Sequence, residues 1–250
     1  MTHVLENGLL RATIDPSKGA RLTSLQVGGL RAPGRGRQLP DDPVGRTGAG
    51  RSVERRGRDP PLPLGKDGNA MHGLGRNVAW DQVDDGHYRR DIGSPWPTEG
   101  VAELRYELQP DGLRTTLTWT DGTDLPCSIG LHPWFNRRLS VGGDVVLGVD
   151  LAQMVERGAD ALPTGRLVSP RPGPSDDCFR LNGSPVLTWP GAVEVTLSST
   201  SPWWVIYDEP ESTVCVEPQT VPPDAFDHPG LQPDGAWPRS LTFDLIAKAL

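Results

Sequence analysis

Hydrophobic and polar residues alternate with a period of two over much of the chain. Ala102, Leu104, Tyr106 and Leu108 alternate with charged or polar neighbours, Pro110-Asp111-Gly112 supplies a turn, and Leu113, Thr115, Leu117 and Trp119 resume the alternation. Successive side chains of a strand point to opposite faces, so this pattern with its turn residues predicts a β-hairpin. Further strands are expected at 143–151, 185–189, 192–198, 203–208, 213–217 and 240–247. The opening predicts two more, 3–14 and 20–27, broken by Asp15-Pro16-Ser17. No segment carries a long, capped 3.6-residue period, and neither an internal repeat nor a linker divides the chain. Many short strands punctuated by Gly, Pro, Asn and Asp predict an all-β fold, a large antiparallel β-sandwich or barrel, as one domain over 1–250. Residues 31–70, poor in apolar residues and rich in Arg, Gly and Pro, read as a long excursion over one face or a partly disordered stretch.

Composition narrows the function classes. A net charge of −7 and a pI near 5.2 argue against a nucleic-acid partner, whose binding surface is basic. The eight Arg between Arg31 and Arg58 lack interleaved aromatics and periodicity, and so read as a solvated loop. Eight Trp against three Tyr and four Phe is an unusual balance; a Trp face suits a core or the underside of a sugar ring. Cys127, Cys178 and Cys215 are odd in number, widely spaced and without a CxxC. Buried thiols in a reducing compartment are expected from them, with no disulfide framework or zinc site. The opening MTHVLENGLLRATIDP has no basic region followed by an apolar one, so no signal peptide is read. No apolar run approaches the roughly 20 residues that span a bilayer. A soluble cytoplasmic protein with no membrane partner is the expectation.

Three polar residues stand in surroundings suited to chemistry. His72 lies in Asn69-Ala70-Met71-His72-Gly73, a loop-like stretch, and His132 follows an apolar segment in Gly130-Leu131-His132-Pro133-Trp134-Phe135-Asn136. Glu217 ends the apolar run Thr213-Val214-Cys215-Val216 and precedes Pro218-Gln219-Thr220. A carboxylate at a sheet margin must be solvated, paired or used. Taken singly, a His beside Gly or Pro is more often a turn residue than a catalyst, and a Glu at a strand end is more often a surface charge.

In combination the segments resemble the aldose 1-epimerase (galactose mutarotase-like) family. The family's N-x-x-H-G corresponds to Asn69–Gly73, its H-P-[YW]-F-N to His132–Asn136, and its E-P-[QM]-T followed by P-P-D-A-F to Glu217–Phe226. Between them, Ser175-Asp176-Asp177-Cys178-Phe179 looks like the family's D-x-x-F, with Asp176 in the ligand position, and Ala161–Gly165 resembles the P-T-G turn that precedes it. The likeness runs over roughly 65–230. Two departures stand out: the family's upstream G-R has Gly45-Arg46 as nearest equivalent, with Arg76 a competitor, and its A-F-N reads Ala225-Phe226-Asp227, which adds a charge.

The resemblance implies a galactose mutarotase-like supersandwich and a mutarotase acting on an aldose. Interconverting anomers requires O1 to lose a proton while the ring oxygen O5 gains one; the C1–O5 bond opens, the aldehyde turns about C1–C2, and the ring closes on the other face. A base and an acid on opposite sides of that bond suffice, with no metal or redox cofactor. By resemblance Glu217 is the base and His132 the acid, while His72, Asp176 and Arg46 or Arg76 hold the sugar. The partner is thus a small sugar, and the chain is a monomer or homodimer. Three rivals remain: a non-catalytic carbohydrate-binding homologue, a hexose-6-phosphate 1-epimerase using arginines between Arg46 and Arg58 to hold the phosphate, and a metal site. The last is disfavoured because His72 and His132 lie 60 residues apart and Glu217 a further 85, whereas metal-binding histidines are often closely spaced.

Overall fold

A computed structural model of the chain describes residues 2–28, 72–96 and 98–250, and the backbone alone of 30–32, 40–41, 48–49 and 69–70. The hairpin read from period-two alternation is present as strands Gly100–Leu108 and Gly112–Thr120. Their antiparallel register sets Leu104 against Leu117 and Leu108 against Leu113, stacking apolar side chains on one face.

This hairpin forms the middle of an eight-stranded antiparallel sheet among the described residues. Its order is Val146–Gly148, Val186–Trp189, Val193–Ser199, Ser240–Ala249, Gly112–Thr120, Gly100–Leu108, His87–Ile92 and Asp81–Asp84. A second sheet runs Pro163–Val168, Leu151–Arg157, Asp176–Leu181, Trp203–Tyr207, Thr213–Gln219, Gly130–Leu131 and Pro40–Asp41, with Trp134–Asn136 also pairing onto Thr213–Gln219. One apolar cluster joins them: Leu117, Trp119, Leu241 and Phe243 from the first, and Phe179, Trp204, Ile206, Val214 and Val216 from the second. Trp204 and Phe243 meet edge to face across this core, ring centroids 6.2 Å apart. A smaller four-stranded sheet at the N-terminus adds Leu10, Ala12 and Ile14 to the same cluster. The fold is therefore the expected all-β sandwich of large antiparallel sheets.

Three boundaries differ from those read in the sequence. The stretch 3–14 is two strands, His3–Glu6 and Leu10–Asp15, because Asn7 Oδ1 accepts the Leu9 and Leu10 amides (3.2 and 2.8 Å) and folds the chain back. The stretch 143–151 holds one short strand and the start of another in different sheets, Val146–Gly148 and Leu151–Arg157; alternation along the chain does not register a change of sheet. Pro163-Thr164-Gly165 opens a strand, and the turn precedes it, closed by the Gly158 amide on Leu162 O (2.8 Å). The strands His87–Ile92 and Asp176–Leu181 escaped prediction because charged residues interrupt their alternation. Of the residues 31–70, only short backbone pieces are described.

Candidate active site

The second sheet turns one face to the core, and the polar motif residues gather on the other. Antiparallel partners share a face, so the register defines two rows across four strands. The first is Asp176, Tyr207, Cys215 and Trp134, each directly opposite the next. The second begins Cys178, Val205, Glu217. On the far side of Glu217 the partner strand is interrupted: Gly130 pairs with Gln219, Trp134 pairs with Cys215, and His132-Pro133 lies between. Both flanks keep one register, and counting inward by two residues from either end brings His132 opposite Glu217. Proline has no N–H for the ladder, which explains why pairing breaks at this point while the register survives.

The two side chains meet as that register requires. His132 Nδ1 lies 3.4 Å from Glu217 Oε1, and both residues are almost fully buried, 4% and 1% exposed. The two side chains stand side by side on one face of the sheet. Cys215, fully buried, approaches His132 Nδ1 and Pro133 O at 2.9 Å each. The His72 ring lies 5.1 Å from that of His132, so the structure brings the two motif histidines together. His72 and Gly73 both have left-handed backbone, φ 61° and 58°. Such a conformation is costly for histidine and free for glycine, and is a signature of functional sites.

Asp176 and Asp177 point in opposite directions. Asp177 is buried and ion-paired, with Arg157 Nη1 at 3.4 Å and Arg171 Nη2 at 3.0 Å. Asp176 is half-buried on the same face as Glu217, in the neighbouring row and two strands away. Arg157 also donates to the Asp176 carbonyl oxygen and lies 3.8 Å from its carboxylate, fixing this strand end. One wall of the site is the segment after Glu217: Val221, Ala225 and Leu231 pack on Val155, Cys178 and Val205. Within it Asp224 pairs with His228 at 3.3 Å, and Asp227, the charge that departs from the family pattern, is exposed. Arg76 is anchored through its backbone, its carbonyl oxygen accepting from Arg21 Nη2 at 3.2 Å; the contacts that define the cluster do not include it. Arg46 and the arginines up to Arg58 lie outside the described residues.

Four participants were not singled out in the sequence. Trp134 stacks on His132, centroids 5.4 Å apart at 18°, and meets Tyr207 edge-on. Cys215 stands two residues before Glu217, so strand alternation alone would have put it on the Glu217 face. Arg157 and Tyr207 carry no local signal and become visible only through pairing. As to metals, His132, Cys215 and Glu217 offer ligand atoms within 4.8 Å of one another; wide sequence spacing did not prevent a donor cluster, because the sheet closes the gaps. The three thiols are buried, as expected, and burial pushes the distant Cys127 up to about 11, an inert group. No helix among the described residues is long and apolar enough to cross a membrane.

Comparison with known proteins adds independent findings. The family model for aldose 1-epimerase matches residues 1–232. Solved structures similar to this chain include an aldose 1-epimerase candidate of Escherichia coli K12, 17% identical with a TM-score of 0.82, covering 100% of this chain and 99% of that one. A galactose mutarotase-like protein of Clostridium acetobutylicum is 17% identical, TM-score 0.79, with 99% and 95% covered. Galactose 1-epimerase of Lactobacillus acidophilus is 17% identical, TM-score 0.72, with 98% and 93% covered. A comparison with curated proteins gives no match.

Proposed function

The chain belongs to the aldose 1-epimerase family, and on that premise we propose that it interconverts the α and β anomers of a free hexose by acid–base ring opening. The observation that carries this reading is the buried His132–Glu217 pair at 3.4 Å, held in place by the register of the strands on either side of it. In ring opening, Glu217 takes the O1 proton and His132 gives one to O5 as the C1–O5 bond breaks. After the aldehyde turns, His132 recovers the proton from the O5 hydroxyl and Glu217 returns its own to O1, so each catalyst ends as it began. His72 and Asp176 flank the pair and hold ring hydroxyls, and the Trp134 face supplies an apolar platform. The whole chain of 250 residues acts as one sugar-binding domain in this reading.

The test is polarimetry on freshly dissolved α-D-glucose and α-D-galactose, with glucose 6-phosphate in parallel. Catalysed decay of optical rotation with the free sugars is expected. Sugar binding without faster decay would replace this reading with a non-catalytic carbohydrate-binding homologue, and a response confined to the phosphate ester would shift it to a hexose-6-phosphate 1-epimerase. Asp176 supplies a further expectation. Asp176→Asn keeps the shape but weakens a charged hydrogen bond to a hydroxyl, so KM should rise about tenfold, ~1.4 kcal/mol, with kcat changed less. An unchanged KM in steady-state kinetics would remove Asp176 from the sugar.

A further inference from the structure

Cys215 is the one member of the buried cluster to which acid–base ring opening gives no task. Its sulfur lies 2.9 Å from two different groups, His132 Nδ1 and Pro133 O. A thiol has a single proton, and the two neighbours differ in what they can offer. A carbonyl oxygen only accepts, so the contact with Pro133 requires S–H as donor. An imidazole nitrogen can donate or accept according to tautomer. With the thiol proton committed to Pro133, the sulfur meets Nδ1 with lone pairs, and the proton in that contact must be carried by Nδ1. Glu217 Oε1 stands 3.4 Å from the same nitrogen as an ion-pair neighbour, while the shorter contact, from the sulfur, is the hydrogen bond that sets the proton.

Resting on the mutarotase reading of this site, we propose that Cys215 is a positioning residue that fixes His132 as the Nδ1–H tautomer, making Nε2 the ring nitrogen that exchanges a proton with the sugar ring oxygen. Which nitrogen of a histidine carries the proton is set by the hydrogen bond made at the other. Here the chain runs from Nδ1–H to sulfur and from S–H to Pro133 O, the carbonyl of the residue next to His132 itself. Motif and partner strand are thereby locked: Trp134 on one side of Pro133 pairs with Cys215, so the ladder that sets the register also delivers the thiol. Trp134, stacked at 18° on the imidazole, limits ring tilt and leaves the flip of tautomer as the freedom Cys215 removes. During turnover Nε2 gains and loses its proton while Nδ1 keeps its own, so the base form after ring opening is ready to accept from O5 without reorganisation.

Long-range proton–nitrogen NMR of histidine-labelled protein without sugar reads this directly, at a pH alkaline enough for His132 to be neutral. Wild type should show His132 protonated at Nδ1 and bare at Nε2. Cys215→Ser, which keeps one donor and lone pairs, should keep that tautomer; Cys215→Ala should shift it toward Nε2–H. In kinetics, Cys215→Ala should lower kcat roughly 10- to 100-fold, the usual cost of removing an orienting partner from a working imidazole, with KM little changed and most of the loss recovered in Cys215→Ser. An Nε2–H tautomer in wild type overturns the proposal, as does an Nδ1–H tautomer undisturbed in a folded Cys215→Ala. Because the tautomer is read with no substrate present, its failure is separable from failure of the mutarotase reading, which polarimetry on the wild type decides.

Discussion

Glu217→Gln is expected to slow anomer exchange by about 10³-fold, ~4 kcal/mol in the barrier, while sugar affinity stays within a fewfold of wild type. The amide fills the volume of the carboxylate and leaves a carbonyl oxygen near His132 Nδ1, but it cannot take the O1 proton. The magnitude follows from removing one partner of a general acid–base pair, and the residual rate is what orientation on the sheet floor still supplies. Kd from isothermal titration and the rate from polarimetry, measured on the same preparation, separate the two effects. A variant that binds normally and keeps more than about a tenth of the wild-type rate would deprive Glu217 of its role. A variant that loses binding in proportion would instead make it a ligand to the ground state.

That the pair can be isolated so cleanly follows from its construction. A buried carboxylate is tolerated only with partners, and Glu217, 1% exposed, has its partner assured by backbone register. No long side chain must be ordered to bring His132 to Glu217, because cross-strand neighbours in a sheet begin within reach. The sheet scaffold contributes rigidity instead of reach. The site strand Thr213–Gln219 is paired along both edges, by Trp203–Tyr207 on one side and by Gly130–Leu131 and Trp134–Asn136 on the other.

How much of this was legible in the sequence depends on the range of the signal. The hairpin 100–120 was visible because its alternation, turn and partner are all local. HPWFN and EPQT were visible as short strings, and with Asp176 they pointed to the residues that the sheet gathers. The alignment of His132 with Glu217 was not visible, since register between segments 85 residues apart is a property of pairing, not of either string. The same holds for Trp134 against Cys215. Cys215 was hidden differently: within the apolar run Thr213–Val216 it reads as one more core residue, although the core face belongs to Val214 and Val216. Strand Asp176–Leu181 failed to announce itself because its alternate faces are both used, one for Asp176 and the outer wall, the other for a clamped Asp177 and the buried Phe179. Arg46 is a reading that stays with the sequence, outside the described residues.

Phe179 gives this division of faces its largest energetic consequence. Its ring is fully buried, faces the inter-sheet core, and pairs across strands with Trp204 on one side and Met154 on the other. Trp204 in turn meets Phe243 of the opposite sheet, so Phe179 supports the contact that holds the two sheets together. Phe179→Ala removes that ring from a packed interior whose backbone is pinned on both edges and cannot collapse to fill the space. The expected loss is about 3–5 kcal/mol, which for a chain of this size lowers Tm by roughly 10 °C. Since Asp176 and Cys178 point the other way, KM measured well below the transition should move less than about threefold, ~0.65 kcal/mol. Calorimetry and steady-state kinetics on one preparation check both halves. A Tm lowered by less than about 2 °C would mean that the strand yields to fill the cavity, and a large rise in KM without loss of stability would mean that the two faces of Asp176–Leu181 are not independent.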